Sequence, residues 1–505
     1  MNPLAEAIVT PLEFREDAVL IDAEGVEMTG CELFQLSGQI ANVLADAGVA
    51  PGDRVAMQTE KSVQALALYF ACLRSGALFL PLNTAYTIAE LDYFLGDAEP
   101  KVVICDPNAA KALQPIADEK GITLLTLDAD GGGSLTDLAA VANADFQTAN
   151  RTNDDLAAIL YTSGTTGRSK GAMLSQANLL SNTDSLVEAW QFSQEDTLLH
   201  ALPIFHAHGL FVALNTLFRV GGRIIFLAKF DVDTVLAKLP EATSMMGVPT
   251  FYTRLLSDQR FTRELTGHIR LFISGSAPLL AETHREFEQR TGHRILERYG
   301  MTETTMNTSN PYDGERRAGT VGLPLPGVEA RITDAETAET LPHGATGILE
   351  VRGPNVFKGY WRMPDKTAED FREDGFFITG DIARVDDGGY ITIVGRAKDL
   401  VISGGYNVYP KEVEVEIDVL DGVLESAVIG VPHRDFGEAV IAVVVPHVAS
   451  QIDAETIRSA LQQRLAKFKC PKLVFMVTEL PRNTMGKVQK NILREQYSNS
   501  FVEGA

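Results

Sequence analysis

Short apolar segments alternate with longer mixed segments along most of this chain, and this alternation constrains the fold more than any other feature. Four short segments have the character of buried strands: residues 102–105, 157–161, 223–227 and 271–274. Strands separated by segments long enough for helices are typical of βαβ units. The pattern therefore predicts an α/β fold with parallel strands.

The length of the chain predicts more than one domain. A chain of 505 residues exceeds what a single hydrophobic core usually organises. After the sequence Gly-Arg-Ala-Lys-Asp at 395–399 the pattern restarts, with strands expected at 427–431 and 439–445 and a helix at 454–465. We therefore predict an N-terminal unit of residues 1–395 and a C-terminal unit of residues 396–505, with a hinge near Lys398.

The charge balance excludes one large class of partner. Lys and Arg total 44 against 67 Asp and Glu, so the formal net charge is -23. Such a field repels a phosphate backbone, which makes nucleic acid an unsuitable partner. Any small polyanionic ligand must be held by strong local features, with metal ions helping.

Cysteines and apolar segments indicate the compartment. Cys31, Cys72, Cys105 and Cys470 form no CxxC pair and no cluster with histidine, so we expect a reducing compartment, the cytoplasm. Residues 1–16 contain three glutamates and lack the basic start and apolar run of a secretory signal. The apolar stretch 65–82 is interrupted by Arg74, which favours a buried helix over a membrane span.

One loop has the composition of a phosphate-binding site. The sequence Tyr-Thr-Ser-Gly-Thr-Thr-Gly-Arg-Ser-Lys-Gly at 161–171 follows a predicted strand. Glycines allow backbone N–H groups to turn toward an anion, hydroxyl groups add donors, and a lysine adds charge. The spacing differs from a Walker A loop, which requires GxxxxGK followed by Ser or Thr. The candidate phosphate ligands are Thr162, Ser163, Gly164, Thr165, Thr166, Gly167 and Lys170.

This loop resembles the phosphate loop of the adenylate-forming superfamily, which includes acyl-CoA synthetases, luciferases and carrier-protein adenylation domains. Four further motifs follow in the family's order: Tyr-Gly-Met-Thr-Glu at 299–303, Thr-Gly-Asp at 379–381, the 395–399 motif, and Pro-Arg-Asn-Thr-Met-Gly-Lys at 481–487. The resemblance spans nearly the whole chain. It implies a large N-terminal domain of βαβ subdomains plus a β-barrel, and a smaller mobile α+β C-terminal domain.

The resemblance also implies a reaction and its nucleotide site. A carboxylic acid is activated by ATP as its acyl-adenylate, and the acyl group then passes to coenzyme A. Thr302 is expected near the α-phosphate, Asp381 and Arg396 at the ribose, and Glu303 with Thr166 on Mg²⁺, because hard cations prefer oxygen ligands. The stretches expected around adenine are Ser276, Ala277 and Pro278, and Glu297, Arg298, Tyr299, Gly300 and Met301.

Lys487 is the expected catalytic cation of the first step, because attack on the α-phosphorus builds negative charge that an ammonium stabilises. The family rotates its C-terminal domain about the residue that matches Lys398 between the two steps. Gly404 and Gly405 are then expected to approach the pantetheine arm of coenzyme A. Lys469 is a candidate for its phosphates, with a solvated cationic surface as the alternative.

A Phe-His pair at 205–206 indicates the branch of the superfamily. Acyl-CoA synthetases typically have this pair, whereas amino-acid-selecting adenylation domains usually place an aspartate in this region. His206 is expected to orient the acid, with a satisfied core histidine as the alternative. A stand-alone adenylation enzyme that loads a carrier protein, and a non-catalytic nucleotide-binding protein, are the other candidate functions; we expect no carrier domain beyond residue 505.

Two arginines indicate the type of acid. Arg254 and Arg298 fall in stretches that the family uses for the acyl pocket, together with His206 and Ser274. A buried unpaired guanidinium is costly, so either internal acids such as Glu297 neutralise these arginines or the substrate carries a second carboxylate. The whole chain resembles malonyl-CoA synthetases, which implies malonate. Methylmalonate or another short carboxylic acid stays open.

Overall fold

The structure, a computed structural model, describes residues 1–162, 169–403, 406–434, 436–448, 450–483 and 486–501. Numbered along the chain, the strands are β1 Ala18–Ile21, β2 Glu27–Thr29, β3 Arg54–Gln58, β4 Leu78–Pro81, β5 Val102–Cys105, β6 Thr123–Thr126, β7 Leu156–Thr162, β8 Lys170–Ser175, β9 Thr197–His200, β10 Arg223–Phe226, β11 Ser244–Gly247, β12 Leu271–Ser274, β13 Leu296–Tyr299, β14 Thr308–Ser309, β15 Leu323–Pro324, β16 Glu329–Thr333, β17 Thr346–Arg352, β18 Phe377–Val385, β19 Ile391–Arg396, β20 Val401–Ser403, β21 Tyr406–Val408, β22 Val423–His433, β23 Gly437–Pro446 and β24 Leu473–Met476.

The α-helices of the described residues lie mainly between these strands. They are α1 Pro3–Ile8, α2 Gly30–Asp46, α3 Val63–Ser75, α4 Ile88–Ala98, α5 Pro107–Lys120, α6 Ser134–Val141, α7 Gln176–Trp190, α8 Asn215–Val220, α9 Val232–Lys238, α10 Pro249–Leu256, α11 Arg263–Thr266, α12 Ala281–Thr291, α13 Pro364–Glu369, α14 Pro410–Asp418, α15 Ala454–Arg464 and α16 Lys490–Tyr497. A π-helix at His208–Leu214 runs directly into α8.

Two largely parallel sheets form most of the N-terminal unit. One has the order β6-β5-β3-β4-β7-β8, and only its edge strand β8 is antiparallel to its neighbour. The other has the order β15-β14-β13-β12-β11-β9-β10-β1-β2, with parallel pairing from β13 to β1. The predicted strands at residues 102–105 and 271–274 are confirmed with the same bounds. The α/β prediction is therefore confirmed.

The apolar stretch 65–82 is not one helix, so that expectation was wrong in part. Helix α3 ends at Ser75, and β4 begins at Leu78. Gly76 ends the helix with φ of +72°, a left-handed conformation that glycine adopts without steric cost. Arg74 is buried and donates to the carbonyl oxygens of Phe34 and Phe146 at 2.8 and 2.9 Å, which satisfies part of its guanidinium inside the fold.

An antiparallel sheet links the large unit to the C-terminal unit. Strands β16, β17, β18 and β19 follow one another in this sheet, in the region where the resemblance implied a β-barrel. A single 3-10 turn at Ala397–Asp399 then leads to β20, which belongs to the separate sheet β21-β20-β23-β22 with β24 beside β23. The expected strands 427–431 and 439–445 lie within β22 and β23, and the expected helix is α15.

Each described helix is too short or too polar to cross a lipid bilayer.

Candidate active site

The carboxyl ends of parallel strands bring the predicted residues to one edge of the large unit. Ser274 ends β12, and Arg298 and Tyr299 end β13 beside it. In open α/β sheets this edge is where ligands bind. Thr162 ends β7 in the other sheet and pairs in register with Lys170 at the start of β8. Ser163, Gly164, Thr165, Thr166 and Gly167, the predicted phosphate ligands between them, lie outside the described residues.

Glu303 is a buried carboxylate close to Lys170. The hydroxyl of Tyr360 donates to Glu303 Oε1 at 3.1 Å, and Lys170 Nζ lies 4.2 Å from the centroid of the Tyr360 ring. Burial raises the pKa of Glu303, although Arg396 and Lys170 act to lower it. A divalent cation would offset this cost. In the described part of the chain no three carboxylates, histidines or cysteines cluster as metal ligands, so Glu303 fits a Mg²⁺ that phosphate oxygens also bind.

Asp381, Arg396 and Tyr299 form a buried polar group. Arg396 Nε donates to Asp381 Oδ1 at 2.6 Å, across the pairing of β18 with β19. The Tyr299 hydroxyl makes a short hydrogen bond to the other oxygen of Asp381. Burial, together with the Asp381 charge, raises the pKa of Tyr299 well above its usual range. A carboxylate so fixed is ready to accept hydrogen bonds from the hydroxyl groups of a ribose.

Lys487 lies beside this group although it belongs to the C-terminal unit. It follows a turn in which Gly486 N donates to Asn483 O at 2.8 Å and Lys487 N donates to Asn483 Oδ1 at 2.9 Å. A Cβ atom added to Gly486 would lie 3.1 Å from Thr250 Oγ1 of α10, so the turn meets the large unit there.

The charges around Lys487 have opposite effects on its pKa. Burial by surrounding atoms lowers the pKa of Lys487 and the Arg396 charge lowers it further, while Asp381, Asp399 and Glu303 raise it. The side chain of Lys487 nevertheless stays accessible to solvent. Lys398, the predicted hinge residue, is also exposed, and partial burial with Arg396 nearby lowers its pKa to about 8.

The stretches expected around adenine lie side by side. Ser276 and Ala277 are half-buried and Pro278 is exposed in the turn after β12, where Ser276 has a φ of +69°. Glu297 Oε1 accepts from the backbone N–H of Leu279 at 3.1 Å, and its other oxygen is buried without a partner among the described residues. Burial raises the pKa of Glu297 to about 8. Gly300, Met301 and Thr302 follow β13 and are partly accessible.

Arg298 is buried without a counterion. Its Nε and Nη2 have no hydrogen-bond partner, and no carboxylate in the described residues forms an ion pair with it. Glu297 does not neutralise it, because successive side chains of a strand point to opposite faces. Gly275 allows this arrangement, since a Cβ atom there would lie 2.4 Å from Arg298 Cζ. Burial lowers the pKa of Arg298 to about 9.

His206 lies within range of the charges of both Arg298 and Lys487. Burial lowers the pKa of His206 to about 4, and both cations contribute to the shift. The ring is therefore neutral at pH 7, and its Nδ1 accepts from the backbone N–H of His208 at 3.2 Å. His208 is fully buried and bonds to Ser276 Oγ at 3.1 Å. Ser274 Oγ is buried without a hydrogen-bond partner among the described residues.

The other predicted residues are less enclosed. Arg254 is exposed on α10, so it lacks the buried setting of Arg298, and its role in binding the acid stays a prediction. Lys469 Nζ pairs with Glu412 at 2.5 Å, so part of its positive charge is already neutralised before any phosphate of coenzyme A binds. Gly404 and Gly405 lie outside the described residues.

Sequence reasoning missed two contributors. Tyr360 connects Lys170 with Glu303, yet it belongs to no motif that could have indicated this. Gly275 makes room for the Arg298 guanidinium, and its place between Ser274 and Ser276 in the predicted pocket turn was the available signal.

Comparisons with known proteins agree with this geometry. Residues 10–361 match the AMP-binding enzyme family, and residues 412–487 match the AMP-binding enzyme C-terminal domain. A malonate–CoA ligase of Arabidopsis thaliana is 34% identical over 90% of this chain and 79% of its own length. A feruloyl-CoA synthase of Amycolatopsis is 37% identical over 94% of both chains.

Solved structures extend the likeness to the whole chain. ATP-bound MatB from Rhodopseudomonas palustris is 59% identical over 99% of both chains, with a TM-score of 0.97. The apo form of the same protein has the same identity and coverage and a TM-score of 0.85. The family matches cover both units that carry the site residues. The chain therefore belongs to the family of AMP-binding enzymes.

Proposed function

We propose that this chain is a malonate–CoA ligase that converts malonate, ATP and coenzyme A into malonyl-CoA, AMP and pyrophosphate. The observation that carries the choice of acid is the buried guanidinium of Arg298, for which the described residues supply no counterion. A second carboxylate on the acid would supply the missing charge through two parallel hydrogen bonds. The likeness to a malonate–CoA ligase supports the same choice.

The first half-reaction forms an acyl-adenylate. One carboxylate oxygen of malonate bonds to the α-phosphorus of ATP, the bond from that phosphorus to the bridging oxygen breaks, and pyrophosphate leaves. The charges of Arg298 and Lys487 both act on His206, so an acid held by these two cations would pass near the imidazole. Arg298 would hold one carboxylate while the other faces Lys487. We expect this arrangement to favour short diacids.

The residues beside the nucleotide stabilise charge and position. Lys487 would meet the charge that builds on the α-phosphoryl oxygens, where a fixed ammonium is most effective. Asp381 would accept from the ribose hydroxyls, and its orientation is fixed by Arg396 and Tyr299. Glu303, together with Thr166, would hold Mg²⁺, which neutralises phosphate charge when it is bound.

The second half-reaction transfers the acyl group. The sulfur of coenzyme A bonds to the carbonyl carbon, the carbon–oxygen bond to AMP breaks, and the thiol proton goes to solvent. We propose that residues 396–505 rotate about Lys398 between the steps, which withdraws Lys487 and brings Gly404, Gly405 and Lys469 toward coenzyme A. The higher TM-score to ATP-bound than to apo MatB supports an adenylation-like arrangement of the two units here.

The alternatives are less well supported. A feruloyl-CoA synthase is about as similar in overall sequence as the malonate–CoA ligase of Arabidopsis thaliana. An acid with an uncharged aromatic tail would, however, leave Arg298 buried and unpaired. A carrier-protein adenylation enzyme has the same first step and differs in its acceptor. Methylmalonate adds one methyl group, worth about 1–3 kcal/mol in a pocket, and stays a candidate second substrate. The four free cysteines support the cytoplasm as the compartment.

A panel of acids tests this proposal. With ATP, Mg²⁺ and coenzyme A present, we expect AMP release with malonate at least tenfold faster than with butyrate or ferulate, because only malonate pairs with Arg298. The measurement is AMP by coupled assay and the thioester by mass spectrometry. AMP release with ferulate equal to that with malonate would refute the choice of acid, and ADP in place of AMP would refute the reaction type.

A further inference from the structure

A second buried cation lies at the junction of the two large sheets. Lys61 follows β3 and is only 6% exposed. Its Nζ lies 2.6 Å from His200 Nδ1, 2.8 Å from His200 O and 2.6 Å from Leu227 O, at the carboxyl ends of β9 and β10. No carboxylate of the described residues pairs with Lys61. Ser62 caps α3, so the positive end of that helix dipole is adjacent and adds no compensation.

The hydrogen bonds determine the total charge of Lys61 and His200. The two carbonyl oxygens at Lys61 only accept, so Nζ must supply a proton to each of them. His200 Nε2 lies 2.8 Å from Gly209 O, which also only accepts, so Nε2 carries a proton. One more proton lies between Nζ and His200 Nδ1. The hydrogen bonds thus require one more N–H proton than a neutral lysine amine and a neutral imidazole have together. The Lys61–His200 pair therefore carries one positive charge.

This charge is expensive to keep without an anion. Burial lowers the pKa of both Lys61 and His200 well below their usual values, and no carboxylate of the described residues raises either pKa again. The Phe226 ring lies 4.2 Å from Lys61 Nζ and offers only a weak cation–π interaction. An anionic ligand within reach would stabilise the extra proton.

The pair connects directly to the proposed acyl pocket. Gly209, which accepts from His200, follows His208 in the π-helix, and His208 Nε2 is buried without a partner among the described residues. His208 bonds to Ser276 Oγ at 3.1 Å, and the neighbouring Gly275 packs against the Arg298 guanidinium. His208 and Ser276 thus connect two cations that have no carboxylate partner among the described residues, in a protein whose net charge is -23.

We propose that the Lys61–His200 pair is a second specificity determinant, a buried positive charge that acts with Arg298 to favour acids with two carboxylates over acids with one. This inference rests on the proposed function. Two unit charges about 10 Å apart in an effective dielectric constant of about 20 change an affinity roughly tenfold, so a positioning role through charge is large enough to measure. Lys61 would act through the field and through the 200–209 segment, without touching the reacting atoms.

The test compares Lys61→Met and His200→Gln with the wild-type enzyme on malonate and butyrate. The Met variant removes the charge, whereas the Gln variant keeps the lysine charge and can still donate to Gly209 O. We expect the ratio of kcat/KM for malonate to that for butyrate to fall about tenfold in Lys61→Met, through the KM for malonate, with the KM for ATP changed less than about twofold. In His200→Gln the ratio should stay within about threefold.

Either of two results would overturn the inference: equal losses for both acids in Lys61→Met, or a ratio that falls as far in His200→Gln. If Lys61→Met does not fold, Lys61→Gln makes the same comparison because its amide can still donate to a carbonyl oxygen. The wild-type rates are the separate control on the proposed function. If the wild-type enzyme does not use malonate, the proposed function is wrong. If it does, the malonate-to-butyrate ratios of kcat/KM in the variants test the role of the Lys61–His200 charge.

Discussion

Replacing Lys487 with alanine should reduce malonate-dependent adenylation about 100- to 1000-fold, the usual cost of losing one preorganised donor to transition-state charge. Lys487 lies within range of the charges of Arg396, Asp381 and Glu303 in this arrangement of the two units. The measurement is ATP–pyrophosphate exchange with malonate and no coenzyme A. Lys358→Ala is the matched control, since Lys358 is an exposed lysine whose ammonium pairs with Asp154.

The same variant should retain thioester formation. When malonyl-adenylate is supplied ready-made with coenzyme A, Lys487→Ala should form malonyl-CoA within about threefold of the wild-type rate, because the proposed rotation about Lys398 would remove Lys487 from the site in that step. Equal impairment of both steps would contradict the proposal that the C-terminal unit uses two orientations.

Replacing Arg298 with methionine should lower kcat/KM for malonate about 30-fold or more, the cost of leaving one partner of a buried charge pair unmatched. Butyrate, which has no second carboxylate, should lose less than about threefold. Because Arg298 has no counterion among the described residues, the variant should also unfold at the same or a higher temperature. Steady-state kinetics on both acids and a thermal unfolding curve measure these three quantities.

Arg254→Met is the matched control for that experiment. Arg254 is exposed on α10, so its loss should change malonate and butyrate by similar small factors. A loss for malonate as large as in Arg298→Met would restore the sequence-based expectation that both arginines hold the acid. A drop in unfolding temperature in Arg298→Met alone would mean that the arginine has a structural partner.

The sequence predicted the α/β fold because it depends on local patterns: apolar segments such as β5 and β12 specify buried strands by composition. The site residues stay predictions, which the ordered motifs made through the resemblance, and the structure brings two of them, Asp381 and Lys487, within range of each other. The end of α3 was missed because Leu78–Pro81 is as apolar as the helix before it, and only Gly76 marks the break.

What the sequence could not give is the partnership of side chains that are distant along the chain. The sequence alone could not distinguish Arg254 from Arg298. Only the fold shows that Arg254 is exposed and that Arg298 is buried against Gly275. The pairing of Lys469 with Glu412 and of Lys61 with His200 likewise depends on how separate elements meet. Burial and partnership, more than residue type, determine the cost of a charge.

The most direct test of the central claim follows one oxygen atom. Malonate labelled with heavy oxygen in its carboxyl groups is incubated with the enzyme, ATP, Mg²⁺ and coenzyme A, and the AMP is analysed by mass spectrometry. If malonyl-adenylate is the intermediate, each AMP gains one labelled oxygen from malonate, since the acyl carbon–oxygen bond breaks when coenzyme A attacks. Unlabelled AMP formed together with malonyl-CoA would contradict the account.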